Sequence, residues 1–79
     1  MNNTWIEADN KLVKEFTFPT FTNAISFVNR IADIAEELQH HPHIEIAYTK
    51  VTCKLSTHDA GDTVTDRDRE LANRIDMLN

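Results

Sequence analysis

The stretch Glu36-Glu37-Leu38-Gln39-His40-His41-Pro42-His43 marks the place where a long segment with helical periodicity must stop being helical. The residue before a proline is disfavoured in the helical conformation, so Pro42 predicts that the helix ends near His40. Two adjacent histidines are therefore expected at a helix terminus. A third, His58, follows a strand-like run in Ser56-Thr57-His58-Asp59. We expect the fold to bring these two places together.

The segment upstream of the histidines has the periodicity of a one-sided helix. Apolar side chains recur at spacings of three and four, which is typical of an amphipathic helix with one buried face. Thr20 is a residue type that caps helix N-termini. The predicted stripe contains Ala24, Val28, Ile31, Ala35 and Leu38, and is widened by Phe21, Ile25 and Ala32. We predict a helix over residues 21–39.

Four other segments alternate between apolar and polar residues, as half-buried strands do. They are residues 4–8 and 11–18, joined by a turn at Asp9-Asn10, and residues 44–48 and 50–57, joined by a turn near Thr49. A second helix begins at a capping box, Thr65-Asp66-Arg67-Asp68, and carries Leu71, Ala72, Ile75 and Leu78. The order ββαββα predicts an α+β two-layer sandwich, in which a four-stranded antiparallel sheet has both helices on one face.

Composition limits the classes of function. The 79 residues predict one domain over residues 1–79, and a net charge of −5 argues against nucleic-acid and anionic-membrane partners. A chain this short buries only about 60% of its unfolded surface, so we expect a homodimer or homotetramer. No secretory signal, no membrane-spanning apolar run and a single cysteine, Cys53, predict a cytoplasmic protein.

The residues around the histidines allow acid–base chemistry. His40 is expected at a helix C-terminus, where the macrodipole favours the imidazolium form. Glu36 lies four residues earlier, within reach of its ring. A histidine of near-neutral pKa with a carboxylate beside it can act as a general acid or base. The alternative interpretation is a pair of solvated histidines that only cap the helix.

A zinc site is a second alternative. The possible ligands are His40, His41, His43, His58, Asp59 and Cys53. However, the chain contains no Cys-x-x-Cys or His-x-x-x-His pair, and adjacent histidines on an ending helix diverge. We therefore predict no metal.

An ordered set of motifs resembles the pterin-4a-carbinolamine dehydratase family. The motifs are Glu36-x-x-x-His40-His41-Pro42, Tyr48-Thr49-Lys50-Val51, Leu55-Ser56-Thr57-His58-Asp59-Ala60-Gly61, and the capped helix with Asp68, Glu70, Leu71 and Ala72. Trp5 stands where the family has a tryptophan opening its first strand. The resemblance implies a lyase that dehydrates 4a-hydroxytetrahydrobiopterin to quinonoid dihydropterin in tetrahydrobiopterin recycling. It also implies a homo-oligomer that needs no metal or organic cofactor.

The resemblance also implies roles for individual residues. His40 and His58 would be the general acid/base groups, and His41 would mainly hold the pterin. Glu36 would orient His40, and Trp5 would help to wall the pocket. Two further residues, Pro42 and Asp59, are expected on the substrate side of the site. The alternative is a non-catalytic dimerisation or coactivator-type interaction module of the same fold.

Overall fold

The computed structural model describes residues 4–78. Its elements are β1 (Ile6–Ala8), β2 (Lys11–Thr17), α1 (Phe21–Leu38), β3 (His43–Ala47), β4 (Lys50–Leu55) and α2 (Asp66–Asp76). A 3₁₀ helix, His58–Ala60, follows β4. The strands form one antiparallel sheet in the order β1-β2-β4-β3. The predicted α+β class and ββαββα order are confirmed.

Both hairpin turns use left-handed backbone. Asp9 and Asn10 have φ of 53° and 64°, the pattern of a two-residue hairpin turn with positive φ at both central positions. The second turn, predicted near Thr49, includes Tyr48 at φ 60°. Positive φ is uncommon for a bulky residue, and the Tyr48 side chain is exposed. The turns fix the register of both hairpins, so they also fix which side chains face the helices.

The core lies between one face of the sheet and both helices. Leu12 is opposite Leu55 and Phe16 is opposite Val51, so these four side chains share a face. The helices complete the same apolar cluster with Ala24, Phe27, Ile31, Ile34, Leu71, Ala72 and Ile75. Because the buried strand residues lie on a single face, both helices pack on that face, as predicted.

The buried stripe of α1 is rotated from the predicted one. Phe27 and Ile34 are buried, whereas Phe21 and Ala32 are exposed. The physical reason is an aromatic cluster in which the Phe27 ring centroid lies 4.8 Å from that of Phe16 and 4.9 Å from that of Phe18. Packing of these rings buries the side of α1 that carries Phe27. Phe21, the first residue of the helix, stays exposed.

Lys14, which interrupts the apolar alternation of β2, faces the helices. It is paired with Cys53 across the sheet, and its side chain is only 10% exposed. Its ammonium lies 2.8 Å from Asp76 Oδ1, which also accepts a hydrogen bond of 3.0 Å from Trp5 Nε1. The ammonium is 4.9 Å from the Phe16 ring centroid. The positive charge of Lys14 is therefore balanced by Asp76 and by the face of the Phe16 ring at the rim of the core.

The core assignment predicts a stability difference. Ile31 is fully buried, so Ile31→Ala should lower the free energy of unfolding by about 2–5 kcal/mol through lost burial and a cavity. Met77 is 79% exposed, and Met77→Ala should change the free energy of unfolding by less than about 0.5 kcal/mol. Urea unfolding followed by circular dichroism measures both, and equal losses would contradict the burial assigned to Ile31.

Candidate active site

His40 and His41, which follow α1, lie in different environments because of how the helix ends. Gln39 is left-handed, at φ 53°. The His40 N–H donates to the Ala35 carbonyl at 3.0 Å, and the Gln39 N–H donates to the Glu36 carbonyl at 3.3 Å, which is the Schellman pattern. The helix thus ends before Pro42 can affect it. His40 is buried and His41 is exposed.

His40 is held by a carboxylate from α2. Its Nε2 lies 2.6 Å from Asp68 Oδ1, with the two side chains 8% and 0% exposed. Asp68 closes the predicted capping box, because its Oδ2 accepts the Thr65 N–H at 2.9 Å. The same Oδ2 accepts the Thr57 hydroxyl at 2.8 Å. One carboxylate therefore joins the start of α2, the segment after β4 and the end of α1.

The hydrogen bonds keep Asp68 ionised. Burial alone would raise the pKa of its carboxyl, but the bonds from His40, the Thr65 N–H and Thr57 outweigh burial and hold the pKa below its ordinary value. An ionised carboxylate only accepts, so a neutral His40 must carry its proton on Nε2. This tautomer leaves Nδ1 as the ring nitrogen that can take up a proton.

Glu36 contacts His41, which corrects the predicted pairing with His40. Glu36 Oε2 lies 2.6 Å from His41 Nε2, and both side chains are exposed. The left-handed Gln39 removes the helical i, i+4 geometry on which the prediction relied, so Glu36 meets a residue five positions later. Glu37 is directed away from the histidines and pairs with Arg74 at 3.0 Å.

His58 opens the 3₁₀ helix and is strongly exposed. Its Nδ1 lies 2.9 Å from Asp62 Oδ1. The hydrogen bond with Asp62, followed by the negative charges of Asp62 and Asp59, raises the pKa of the imidazole above its ordinary value. The loop that holds this pair is closed by a hydrogen bond of 2.8 Å from the Thr57 N–H to the Thr63 carbonyl. Gly61, at φ 85°, supplies the left-handed residue that ends the 3₁₀ helix.

One cavity of about 270 Å³ brings the three histidines together. Its lining consists of Gln39, His40, His41, Ser56, Thr57, His58, Asp59 and Arg67. The two places that the sequence pointed to, the tail of α1 and the segment after β4, therefore face the same space. Asp59 belongs to this lining as well.

Three of the predicted site residues lie elsewhere within the described subunit. Trp5 lines a separate cavity of about 310 Å³ on the side of Leu12 and Arg69. Neither Glu36 nor Pro42 is part of the histidine cavity's lining. Glu36 reaches that cavity only through His41, and Pro42 is a half-buried residue just beyond it. A role for Trp5 against the substrate stays a prediction.

Sequence reasoning missed two contributors. Asp68 was assigned to a capping box, and no local signal shows that its second oxygen meets a histidine 28 residues earlier. Arg67 lines the cavity and donates from Nη2 to the Gln39 carbonyl at 2.8 Å, so it ties α2 to the left-handed end of α1. Both contacts depend on how the two helices pack.

Two further features of residues 4–78 concern metal ions and membranes. No three histidine, cysteine or acidic side chains in that range gather as ligands for a metal ion. No helix in the same range has the length and apolar character needed to cross a membrane. Cys53 is buried in β4, and burial raises the pKa of its thiol to about 12, so it is not a candidate nucleophile.

Comparison with known proteins assigns the family. Residues 1–78 match the family model described as pterin 4 alpha carbinolamine dehydratase. The chain belongs to this family. A relative from a Picosynechococcus strain, named "Putative pterin-4-alpha-carbinolamine dehydratase", is 49% identical over 74 residues, covering 94% of this chain and 79% of the relative.

Solved structures with the family fold carry names of more than one kind. A Brucella melitensis protein titled transcriptional coactivator/pterin dehydratase superposes with a TM-score of 0.87 at 32% identity, covering 94% of this chain and 80% of that chain. A pterin dehydratase-like protein titled as a RuBisCO assembly factor of the alpha-carboxysome gives 0.79 at 28% identity, covering 95% and 88%. The family fold is thus shared by a protein described as a coactivator and pterin dehydratase and by one described as an assembly factor.

The Asp68 network predicts how stability depends on pH. The folded-state pKa of Asp68 is depressed, so its stabilising contribution is present above the ordinary value of 3.8 and is lost as pH falls from there through the folded pKa. Asp68→Asn should lower the free energy of unfolding at neutral pH by roughly 1.5–3 kcal/mol and weaken its acid dependence.

Asp66→Asn is the matched control, because Asp66 is an exposed carboxylate on the same first turn of α2. This substitution should lower the free energy of unfolding by at most about 1 kcal/mol, the scale of a helix-dipole contribution. Urea unfolding over an acid pH series measures both variants. Equal losses at neutral pH would show that the buried bonds to His40 and Thr57 do not stabilise the fold.

His58 gives a second, local prediction. Asp62→Asn removes its nearest negative charge, so the His58 pKa should fall toward the ordinary value of 6.5. Imidazole proton resonances followed through a pH titration measure this shift. His43, which pairs with Glu45 at 3.0 Å, is the internal reference, and its ring resonances at a fixed pH should not respond to Asp62→Asn. An unchanged His58 midpoint would rule out the Asp62 contact.

Proposed function

We propose that this chain dehydrates a 4a-hydroxytetrahydropterin, such as 4a-hydroxytetrahydrobiopterin, to the quinonoid dihydropterin and water. The observation that carries the proposal is the single cavity faced by His40, His41 and His58, with His40 anchored on buried Asp68. Membership of the dehydratase family supports the substrate class. No metal or organic cofactor is required by the chemistry.

The reaction makes small demands on the protein. The bond between C4a and the hydroxyl oxygen breaks while the lone pair of the neighbouring ring nitrogen forms a carbon–nitrogen double bond. One imidazolium donates a proton to the departing hydroxyl, which leaves as water, and one neutral imidazole accepts a proton from the ring. Positioned acid–base groups of this kind contribute roughly 10²–10⁴-fold.

We assign the acid to His58 and the base to His40. Asp62 and Asp59 raise the pKa of His58, which favours the protonated ring needed to protonate the hydroxyl. His40 bonds to Asp68 through Nε2, so Nδ1 is left to accept a proton. This arrangement resembles a carboxylate-oriented histidine base, in which the carboxylate fixes the tautomer and stabilises the imidazolium that forms.

The remaining site residues bind and orient the substrate in this proposal. His41, paired with Glu36, is exposed at the cavity and can donate to polar groups on the pterin. Asp59 lines the same cavity and offers an acceptor to the ring's N–H groups. Pro42 shapes the turn after the histidines, and Trp5 would reach the substrate only across a boundary between subunits.

We further propose a cytoplasmic homodimer or homotetramer that acts in tetrahydrobiopterin recycling. The surface supports self-association, because several large apolar side chains are exposed. They are Ile6, Phe21, Ile46, Tyr48 and Met77. Ile46 lies on β3, an edge strand of the sheet, where another copy could extend the hydrogen-bond ladder. Light scattering on the purified protein measures the assembly state, and a monomer at high concentration would contradict this part.

An interaction module without catalysis is the second candidate. It is favoured by the similar structures whose titles name a transcriptional coactivator and a RuBisCO assembly factor. The same exposed apolar residues would then contact a different protein. Acceleration of 4a-carbinolamine decay by the purified chain separates the two, since a module without acid–base function leaves the decay at its rate in buffer.

The proposal predicts distinct effects for three histidine variants. His40→Ala and His58→Ala should each lower kcat by about 10²-fold or more, because each removes a proton-transfer group. His43→Ala is the matched control, since His43 lies outside the cavity lining, and it should leave kcat within about twofold. Stopped-flow measurement of 4a-carbinolamine decay tests all three. Wild-type protein that fails to accelerate the decay would refute the dehydratase proposal.

A further inference from the structure

We propose that the hydroxyls of Thr65 and Thr57 form a directed hydrogen-bond chain that positions Asp68 and so holds neutral His40 with its proton on Nε2. The two threonines are positioning residues, because they act on the reaction only through Asp68. The catalytic part of this inference rests on the proposed dehydratase function. Its structural part, the state of the imidazole, does not.

The direction of the chain follows from its last acceptor. Asp68 is a carboxylate that cannot donate, so the proton of Thr57 Oγ1 points to Asp68 Oδ2 at 2.8 Å. Thr57 Oγ1 can then only accept in its contact of 2.6 Å with Thr65 Oγ1. Thr65 Oγ1 in turn accepts the Arg67 N–H at 3.3 Å. All three bonds therefore run from the first turn of α2 toward Asp68.

The hydrogen-bond chain leaves one oxygen of Asp68, Oδ1, to bond with His40. Asp68 Oδ2 receives two donors, the Thr57 hydroxyl and the Thr65 N–H, and Oδ1 faces His40 Nε2 at 2.6 Å. Thr57 is 4% exposed and Asp68 is fully buried, so water does not compete for these oxygens. Hydrogen bonds in series in such a setting polarise one another, so the bond that Thr57 accepts from Thr65 makes the Thr57 hydroxyl a stronger donor to Asp68.

The free nitrogen of His40 then faces the cavity. Its Nδ1 makes no hydrogen bond to another residue within 4–78. In the same range, no fully buried side-chain nitrogen or oxygen lacks a partner, so Nδ1 must reach solvent. The solvent that His40 meets is that of the cavity it lines. The Nε2–H tautomer thus presents an acceptor, and not a donor, to whatever the cavity holds.

Helix capping does not explain Thr57. Capping of α2 uses the Thr65 side chain and the return bond from its N–H to Asp68, and both exist without Thr57. Thr57 belongs to the segment after β4, next to His58, and its hydroxyl adds a link between that segment and the capping carboxylate. A purely structural threonine would not be expected to move the proton of a histidine on another element.

The experiment compares Thr57→Val, which has the same shape and no hydroxyl, with Thr57→Ser, which keeps the hydroxyl. Thr52→Val is the control, because Thr52 is a half-buried threonine on β4 whose hydroxyl bonds to no side chain within 4–78. Nitrogen-15 shifts of the His40 ring through a pH titration report the tautomer. Decay of the 4a-carbinolamine gives kcat and KM over the same pH series.

We expect wild type, Thr57→Ser and Thr52→Val to show His40 as the Nε2–H tautomer when neutral. In Thr57→Val, Asp68 Oδ2 keeps only the Thr65 N–H as a donor, so Asp68 should turn away from His40 in part of the molecules. This variant should therefore show a mixture of His40 tautomers and a kcat lowered roughly tenfold, with KM changed much less, as for loss of one bond to a charged group. Because Thr57 helps to keep Asp68 ionised, the acid limb of the kcat profile should move to higher pH in Thr57→Val.

A folded Thr57→Val protein with an unchanged His40 tautomer overturns the inference. If that variant does not fold, the tautomer of His40 in the wild-type protein still tests the inference. A neutral wild-type His40 with its proton on Nδ1 would also overturn it. A wild-type protein with the expected tautomer but no dehydration activity refutes the proposed function and leaves the positioning chain standing. The two failures are therefore distinguishable.

Discussion

The contact between Asp68 and His40 is the constraint on which the rest of the site depends. A buried carboxylate is stable only when its oxygens are hydrogen-bonded, and Asp68 meets this requirement with partners from three parts of the chain. His40 comes from the end of α1, Thr57 follows β4, and Thr65 begins α2. Satisfying one anion therefore sets where α1 must stop, where the chain must leave the sheet and how α2 must approach.

The three histidines of the cavity differ in how firmly they are held, and the difference suits different tasks. His40 is buried and bonded to a buried anion, so its orientation is fixed. His41 and His58 are exposed and pair with carboxylates that are themselves exposed. Solvent-exposed pairs contribute little to stability, so these two rings can adjust to a bound molecule. One fixed histidine with two adaptable neighbours is consistent with the proposed dehydration, which needs proton transfer and little else.

Much of the fold could be predicted from the sequence because its signals are local. The Asp9-Asn10 turn, the Thr65 capping box and the order of elements each depend on a few neighbouring residues. The rotation of α1 was missed because contacts of Phe27 with two rings of another segment decide it. The partner of Glu36 was missed because Gln39 takes a left-handed backbone, and the partner of His40 lies 28 residues away. The rotation of α1 and the partner of His40 are set by tertiary packing, which no short motif records.

The central claim is that His40, His41 and His58 face one ring of one bound pterin. The most direct measurement is a titration with a stable reduced pterin that lacks the 4a-hydroxyl, followed through the imidazole resonances of all four histidines. The account predicts that the three cavity histidines shift together with a single saturation curve. It also predicts that His43, whose partner is Glu45 on the same strand, does not shift. Equal movement of His43, or movement of only one cavity histidine, would contradict the account.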